Sequence, residues 1–596
     1  MAIKAMKLAC DFETTTDPND VRVWASCAVD IATLETVFIG NSIESFFDWL
    51  KDKSTVCYFH NLKFDGEFIL SYLLRNGFRH SDSREAGTFD TLITDNGVFY
   101  SITVIFERLN KKYKKVVFYD SLKKLPLKVS QIAKAFMLAD EKLTIDYHAY
   151  RPVGHELTEE EREYIVHDCR IVANALQIQF GKGLTKMTNA SDAMAGFMEI
   201  ITKKNFERWF PVLPVELDDG LRKAYKGGFT YLKPEHKERR GLRGLTLDVN
   251  SLYPSVMYDR VLPYGYPMYF EGEPEPNEIY PLFIVHIQCA FDLKPKHIPT
   301  IQLKNNFRFM PTDYLHSSDG EVVSLFLTNV DLELFFDHYD VSDMTFVCGW
   351  RFRGVKGVFK EYIDYWMKIK ETSEGAMRQL AKLMLNSLYG KFATNPHAFQ
   401  KRPLLDEDEV VRYEIPKDKE GKREEDTRDP VYTAMGAFIT AYAREKTIRS
   451  AQAVYDRFIY ADTDSLHLIG YDMPEGLEVH KSHLGAWKHE GFFSDSKYIR
   501  AKTYMETMGC PHGASVKLYG AWTNGRNDSD LKTFCDYVYK GKKGNKTVVT
   551  CAGMPDNVKK QVTYDNFTKG STFDGKLMPR KYRGGVVLVE TTFTIN

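Results

Sequence analysis

Along residues 6–13 apolar and polar positions alternate. Met6, Leu8, Cys10 and Phe12 fall on one side and Asp11 and Glu13 on the other, the period of a strand. From residue 1 to about 190, strand-like runs of this kind take turns with helical ones. Glu156–Phe180 reads as a helix opened by a capping box, Thr158 with Glu161. Residues 261–358 carry short strand signals among Pro, Gly and aromatic residues, the pattern of an inserted β-rich module. Glu374–Phe392 is strongly helical. At about 100° per residue, Arg378, Lys382, Asn386 and Tyr389 form one polar stripe, with Leu380, Leu383, Met384 and Leu388 on the other side. Residues 395–430 are polar, with a charge run from Lys417 to Arg428, and predict a loop or small insertion. Strand-like runs surround Asp462, and 505–550, rich in Gly, Asn and Lys, reads as loop.

Composition adds bounds. A chain of 596 residues allows about four domains. Its 43% hydrophobic and 13% aromatic content suffices for large cores and excludes wholesale disorder. A net charge of −1 does not announce a nucleic-acid binder, but acidic metal sites cancel basic grooves in any total. Arg108–Lys115 and Lys540–Lys546 are the basic stretches that could touch phosphate. The nine cysteines are scattered without a Cys-x-x-Cys pair, which excludes a zinc ribbon and fits a reducing compartment. Cys510, His512 and Cys535 read as ordinary thiols and imidazole rather than metal ligands. No signal peptide and no apolar run of about 20 residues is present, so a soluble intracellular protein is expected.

The chemistry lies in two groups of carboxylates. Asp11 and Glu13, two apart on a strand, point to one side; Tyr164 and Asp168, four apart on a helix, share a face. Asp65 follows the turn-like His60-Asn61-Leu62-Lys63-Phe64. Mg²⁺ takes oxygen ligands, and two such ions roughly 4 Å apart stabilise both the attacking and the leaving oxygen of an in-line displacement. Four carboxylates and a tyrosine suit metal-assisted hydrolysis, with Tyr164 orienting a water. The order Asp-x-Glu, Asn-x-x-x-Asp, Tyr-x-x-x-Asp resembles the proofreading 3′–5′ exonucleases of the DnaQ-like (RNase H-like) fold. That resemblance implies that Lys142 assists catalysis and that Asn61, Phe64, Ser121, Leu122 and Tyr147 hold a single-stranded primer end. Stacking on a splayed base gives Phe64 and Tyr147 a physical reason to be there.

In the second group, Leu245–Asp248 is a strand ending on a carboxylate, and Phe458–Leu468 is a hairpin with Asp462-Thr463-Asp464 at its tip. The cationic stripe of Arg378 and Lys382 between them suits an anionic ligand that must be neutralised and stacked. Asp248-x-x-Ser-Leu-Tyr-Pro, Lys382-x-x-x-Asn386-Ser-x-Tyr389-Gly390, Asp462-Thr463-Asp464-Ser465 and Lys502-Thr503-Tyr504 occur in the order of family B DNA polymerases, with Tyr225-Lys226-Gly227-Gly228 between the halves. The match is similar nearly end to end to the protein-primed group from phi-twenty-nine-like bacteriophages.

The resemblance implies a multidomain α/β and α+β chain: exonuclease domain 1–190, palm 191–260 and 431–550, fingers 359–394 and thumb 551–596. Two insertions would complete it, 261–358 binding terminal protein or duplex and 395–430 serving processivity and strand displacement. It further implies two Mg²⁺ per site, with Mn²⁺ an accepted substitute. Asp248, the Val249 carbonyl and Asp464 would be ligands, with Asp462 beside them. Leu252, Tyr253, Lys370, Lys382, Asn386 and Tyr389 would bind the incoming dNTP, Tyr253 blocking a ribose 2′-hydroxyl. Tyr225, Gly227, Gly228, Arg378, Thr440, Arg444, Lys502 and Tyr504 would contact template-primer. The implied partners are DNA, dNTPs and a terminal protein that primes as a heterodimer with the otherwise monomeric enzyme, in the cytoplasm of an infected bacterium. Two features depart from the group: a longer 505–550 segment, and Thr550 where a lysine is usual. Two other readings compete, a nuclease whose C-terminal half only grips DNA and a non-enzymatic replication factor. Asp248 with Asp464 weighs against the first, and the two intact acidic clusters weigh against the second.

Overall fold

The computed structural model describes residues 5–109, 112–302, 314–508 and 546–596. Two large sheets organise it. The first has eight strands, in spatial order Thr36–Gly40, Val23–Asp30, Met6–Thr14, Thr55–Phe59, Lys112–Asp120, Phe99–Leu109, Thr88–Ile93 and Arg79–His80. Its middle three run parallel. Parallel strands need both faces covered, and the alternation in 6–13 provides for this. Leu8, Cys10 and Phe12 pack with Phe46, Phe47 and Phe68 under helices Ile43–Leu50 and Leu62–Arg75. On the other face Ala9, Trp24 and Ala25 meet Ile165, Cys169 and Val172 of helix Glu159–Gly181. That helix starts at Glu159 rather than Glu156, because the expected capping box of Thr158 with Glu161 sets its first turn.

The second sheet has seven strands: Lys546–Cys551, Thr503–Met508, Trp487–Arg500, Gly244–Val249, Ser465–Ile469, Phe458–Asp462 and Thr230–Leu232. Both ends of the 505–550 segment are therefore strands rather than loop, paired to each other with Thr550 opposite Tyr504. Cys510, His512, Cys535 and most of Lys540–Lys546 lie outside the described residues. The long helix Thr433–Ala453 is buried almost all round behind this sheet. Helices Lys360–Thr372 and Gly375–Phe392 pack side by side, the second also against helix Asn189–Ile201.

Residues 261–356 form a four-stranded antiparallel sheet with helix Asn329–His338. The 395–430 segment is not plain loop but two small sheets, His397–Ala398 with Asp426–Thr427 and Arg402–Leu405 with Val411–Glu414. Val411, 2% exposed, belongs to the core of the first large sheet, and Leu405 and Tyr413 pack beside it. A charge-rich stretch is thus anchored by three apolar side chains. The chain closes on the hairpin Thr572–Tyr582/Gly585–Thr594. Its tip also rests on the first unit. Gly584 has φ 97°, and a Cβ there would lie 2.4 Å from the Val21 carbonyl oxygen.

Candidate active sites

The first acidic group lines one cavity of about 200 Å³, with Asp11, Glu13, Asn61, Phe64, Asp65, Lys142, Tyr164 and Asp168 in its wall. Asp11 and Glu13 come from the parallel strand, Asp65 from the first turn of helix Leu62–Arg75, and Tyr164 and Asp168 from one face of the capped helix. Burial and the Asp168 charge push the Asp11 carboxyl up to about 7. Burial and neighbouring carboxylates likewise raise Glu13 and Asp65, and burial raises Asp168 despite Lys142. Among the described residues Lys142 is the cation in the cavity wall; its ammonium pairs with Asp168 and lies 3.3 Å from the Tyr164 hydroxyl. Tyr164 in turn meets Tyr147 at 2.7 Å. Asp168 Oδ1 is buried with no hydrogen-bond partner. Among the described residues no group of three or more His, Cys, Asp or Glu side chains is drawn together closely enough to hold a metal ion as they stand. The unpartnered Asp168 oxygen, beside the carboxyls of Asp11, Glu13 and Asp65, is an all-oxygen donor set of the kind a divalent metal takes.

Of the residues expected at the primer end, Asn61 is exposed, and Phe64 is half-buried against Phe68. Tyr147 is also exposed, whereas Ser121 is fully buried, its hydroxyl 2.9 Å from His60 Nδ1. His60 and Asp120 carry structural bonds here that the sequence motif did not assign.

In the second sheet Asp248 is the next-to-last residue of strand Gly244–Val249, between the strand carrying Ser465 and that carrying Lys488. Burial, Asp464 and Glu490 push the Asp248 carboxyl up to about 7. Burial and Asp462 raise Asp464 as well. Glu490 was not singled out from sequence, although it lies two positions along the strand from Lys488, opposite Asp248. The tip turns on Thr463, at φ 59°, and this parts the two acids. Asp462 faces Lys502 Nζ at 3.2 Å and Thr230 Oγ1 at 3.2 Å, while the Asp464 charge bears on Asp248. The Val249 N–H donates to the Asp464 carbonyl at 2.7 Å, tying the two acidic strands together. Thr447, a further unforeseen residue, donates to the Thr463 carbonyl at 2.7 Å. Gly228 allows the Tyr225–Gly228 loop to pass this tip, since a Cβ would lie 2.6 Å from Thr463 Oγ1.

The polar stripe is present as expected. Arg378, Lys382 and Asn386 are exposed and Tyr389 half-buried, with Leu380, Met384 and Leu388 in the core. Lys370 Nζ donates to Ser251 Oγ at 2.7 Å and Arg378 to the Lys370 carbonyl at 2.6 Å, bridging the helical pair to the Asp248 strand end. Tyr253 stacks on Tyr389 with ring centres 4.0 Å apart, and Leu252 is buried beneath. Tyr504 packs with Tyr460 and Tyr498 beside Lys502.

Thr440 and Arg444 do not reach a surface. The Thr440 hydroxyl donates to Gly436 and Ala437 of its own helix. Arg444, 3% exposed, holds Asp331 bidentately at 2.7 and 2.8 Å and donates to the Lys226 and Gly227 carbonyls. It joins the 261–358 module to the Tyr225–Gly228 loop, so its effect on any bound duplex passes through that loop.

With the geometry in view, comparison with known proteins is decisive. A family model for DNA polymerase type B, organellar and viral, matches residues 48–155 and 141–482. The DNA polymerase of Bacillus phage phi29 is 47% identical, covering 98% of both chains, and that of Streptococcus phage Cp-1 is 34% identical, again covering 98% of both. A structure of phi29 DNA polymerase complexed with primer-template DNA and incoming nucleotide substrates superposes with a TM-score of 0.90 at 45% identity, over 100% of both chains. The chain belongs to the type B DNA polymerases, and within them it is a DNA polymerase of the phi29 type. Its fold is accordingly that of a multidomain α/β protein with an exonuclease and a polymerase domain. No helix among the described residues is long and apolar enough to cross a membrane.

Proposed function

We propose that this polymerase copies DNA at the Asp248/Asp464 site and proofreads at the Asp11/Glu13/Asp65/Asp168 site as a 3′–5′ exonuclease. The reading is carried by one observation: two acidic sites stand on two different sheets, and only the second adjoins a cationic stripe and a stacked tyrosine pair. Two Mg²⁺ ions held by each carboxylate set would activate the attacking oxygen and stabilise the leaving one. At the polymerase site Asp248 and Asp464 would hold metal, and Lys370, Lys382 and Asn386 would meet the triphosphate. Tyr253 would close the space beneath the sugar. At the exonuclease site Tyr164, steadied by Tyr147 and Lys142, would orient the attacking water. Asn61, Phe64 and Leu122 would grip the frayed end, with Ser121 supporting them through His60.

The domain boundaries given above, priming by a terminal protein bound at 261–358, and processive strand displacement aided by 395–430 belong to the same reading. It is supported by the end-to-end likeness to phage polymerases and implies work in the cytoplasm of an infected bacterium. The test is incorporation of labelled dNTP with Mg²⁺, on a primed template and separately on a candidate terminal protein without any DNA or RNA primer. Labelling of both supports the reading. Labelling of the primed template alone removes the protein-primed part.

A further inference from the structure

Strand Lys112–Asp120 ends on a carboxylate that no metal or catalytic role uses. Asp120 is 3% exposed. A single oxygen of it, Oδ1, accepts three backbone N–H groups: Leu122 at 3.1 Å, Asn61 at 3.2 Å and Leu62 at 3.3 Å. Its other oxygen pairs with Lys123 at 3.1 Å. Two of those N–H groups open helix Leu62–Arg75, whose N-cap Asn61 sits at φ 75° and makes no side-chain cap bond of its own. Asp120 therefore caps that helix from a neighbouring strand, and an anion at a helix N-terminus is favourable. The third N–H begins the turn Ser121–Lys123, which Asp120 caps within its own segment. The same two segments are tied a second time by His60, with Nδ1 at 2.9 Å from Ser121 Oγ and Nε2 at 2.8 Å from the Leu127 carbonyl.

The two segments joined in this way carry Asn61 and Phe64 on one side and Leu122 on the other. Because Asp120 caps the helix, the Asn61 side chain is spared that duty and remains exposed at the cavity wall. We infer that Asp120 is a positioning residue for the exonuclease reaction: it locks the two walls that receive the 3′-terminal nucleotides of a single strand at a fixed separation beside the acidic cavity. The inference rests on the exonuclease reading above. Losing the carboxylate leaves three N–H groups to find new partners, and the Asn61 turn is the element free to shift. Asp11, Glu13 and Asp168 stand on other elements and keep their places, and Asp65, although in the first turn of the capped helix, is itself buried and held there by the core packing of Leu62, Phe68 and Ile69. The consequence is weaker capture of the strand end with little change in the chemical step once it is bound.

The test uses Asp120→Ala, with Asp120→Asn and Asp120→Ser as variants that retain a capping oxygen. Trimming of a 5′-labelled single-stranded oligonucleotide is measured across substrate concentrations, alongside dNTP incorporation and a thermal melt. Single-strand binding by fluorescence anisotropy in Ca²⁺ gives a readout independent of turnover. The expected result is a KM and a Kd for the oligonucleotide raised about tenfold in the Ala variant, with kcat within about threefold and incorporation unchanged. The Asn and Ser variants should lie between Ala and the parent. A variant that trims and binds as the parent does overturns the inference, as does a loss confined to kcat or one that falls equally on incorporation. Should Ala melt too low to assay, the Asn and Ser variants decide by the same KM-against-kcat split. A parent enzyme that trims nothing refutes the exonuclease reading instead, and the anisotropy arm then judges Asp120 alone.

Discussion

Tyr253 and Tyr389 stack face to face, with ring centres 4.0 Å apart and planes 17° from parallel. One ring comes from the helix that follows the Asp248 strand and the other from the end of the cationic stripe, so the pair joins the acidic side of the site to the cationic side. Stacking fixes the Tyr253 ring in place and makes it a rigid floor. Replacing Tyr253 by Val should open that floor. The efficiency of ribonucleotide relative to deoxynucleotide insertion should rise at least about tenfold, equivalent to roughly 1.4 kcal/mol of transition-state discrimination. Single-nucleotide insertion kinetics check this; an unchanged ratio places the sugar gate elsewhere.

Lys382 stands exposed on the stripe between Arg378 and Asn386. An ammonium there meets phosphate as a point charge. Lys382→Ala should raise the dNTP KM, or lower kcat, by about tenfold or more while primer-template affinity stays near normal. A loss confined to DNA binding would put the stripe on the duplex.

Both sites carry carboxyls raised to about 7, Asp11 in one and Asp248 in the other. A carboxyl that holds its proton more tightly when folded makes the metal-free protein bind extra protons between about pH 4 and 7. Stability of the metal-free enzyme should then fall as pH rises through that window, the reverse of the trend for an ion-paired carboxylate. Divalent metal must displace those protons. Melting curves with chelator should drop from pH 5 to 8, and curves with Mg²⁺ should drop much less. Calorimetry in two buffers of different ionisation enthalpy should register proton release on binding. Metal-free melting that rises across the range contradicts the assigned environments.

Helical and strand periods made the capped helix, the stripe and the strand-borne acids legible, because each is a local repeat that faces one neighbour. The Arg444–Asp331 pair was not legible: its partners lie in different modules, and nothing local to Arg444 distinguishes a buried clamp from a surface cation. Residues 395–430 misled in a different way. Their polarity is real, but Leu405, Val411 and Tyr413 suffice to seat the hairpin on helix Leu62–Arg75. His60 and Asp120 act through backbone groups brought together by folding, which no spacing encodes.

That anchoring changes what can be removed from the insertion. Tyr413 lies under the Lys581 ammonium, which also reaches Glu67 of helix Leu62–Arg75 at 2.9 Å. Excising Pro403–Arg423 would uncover the Val411 site and cost about 2 kcal/mol or more in packing, with a lowered melting temperature. Removing only the exposed Lys417–Lys422 turn should leave melting and short gap filling unchanged. If that tip parts the strands ahead of synthesis, products on a primed circle should shorten and stalling at a downstream duplex should increase. Long products from the trimmed enzyme without a helicase would assign strand displacement elsewhere.

Synthesis and trimming are proposed to occupy separate sites on separate sheets. The most direct measurement follows one 5′-labelled primer-template with and without dNTPs, comparing Asp11→Ala/Asp65→Ala with Asp248→Ala, each verified as folded by its melting curve. The first variant should extend the primer and fail to shorten it, and the second should shorten it and fail to extend. Equal loss of both activities in either folded variant would contradict the two-site account.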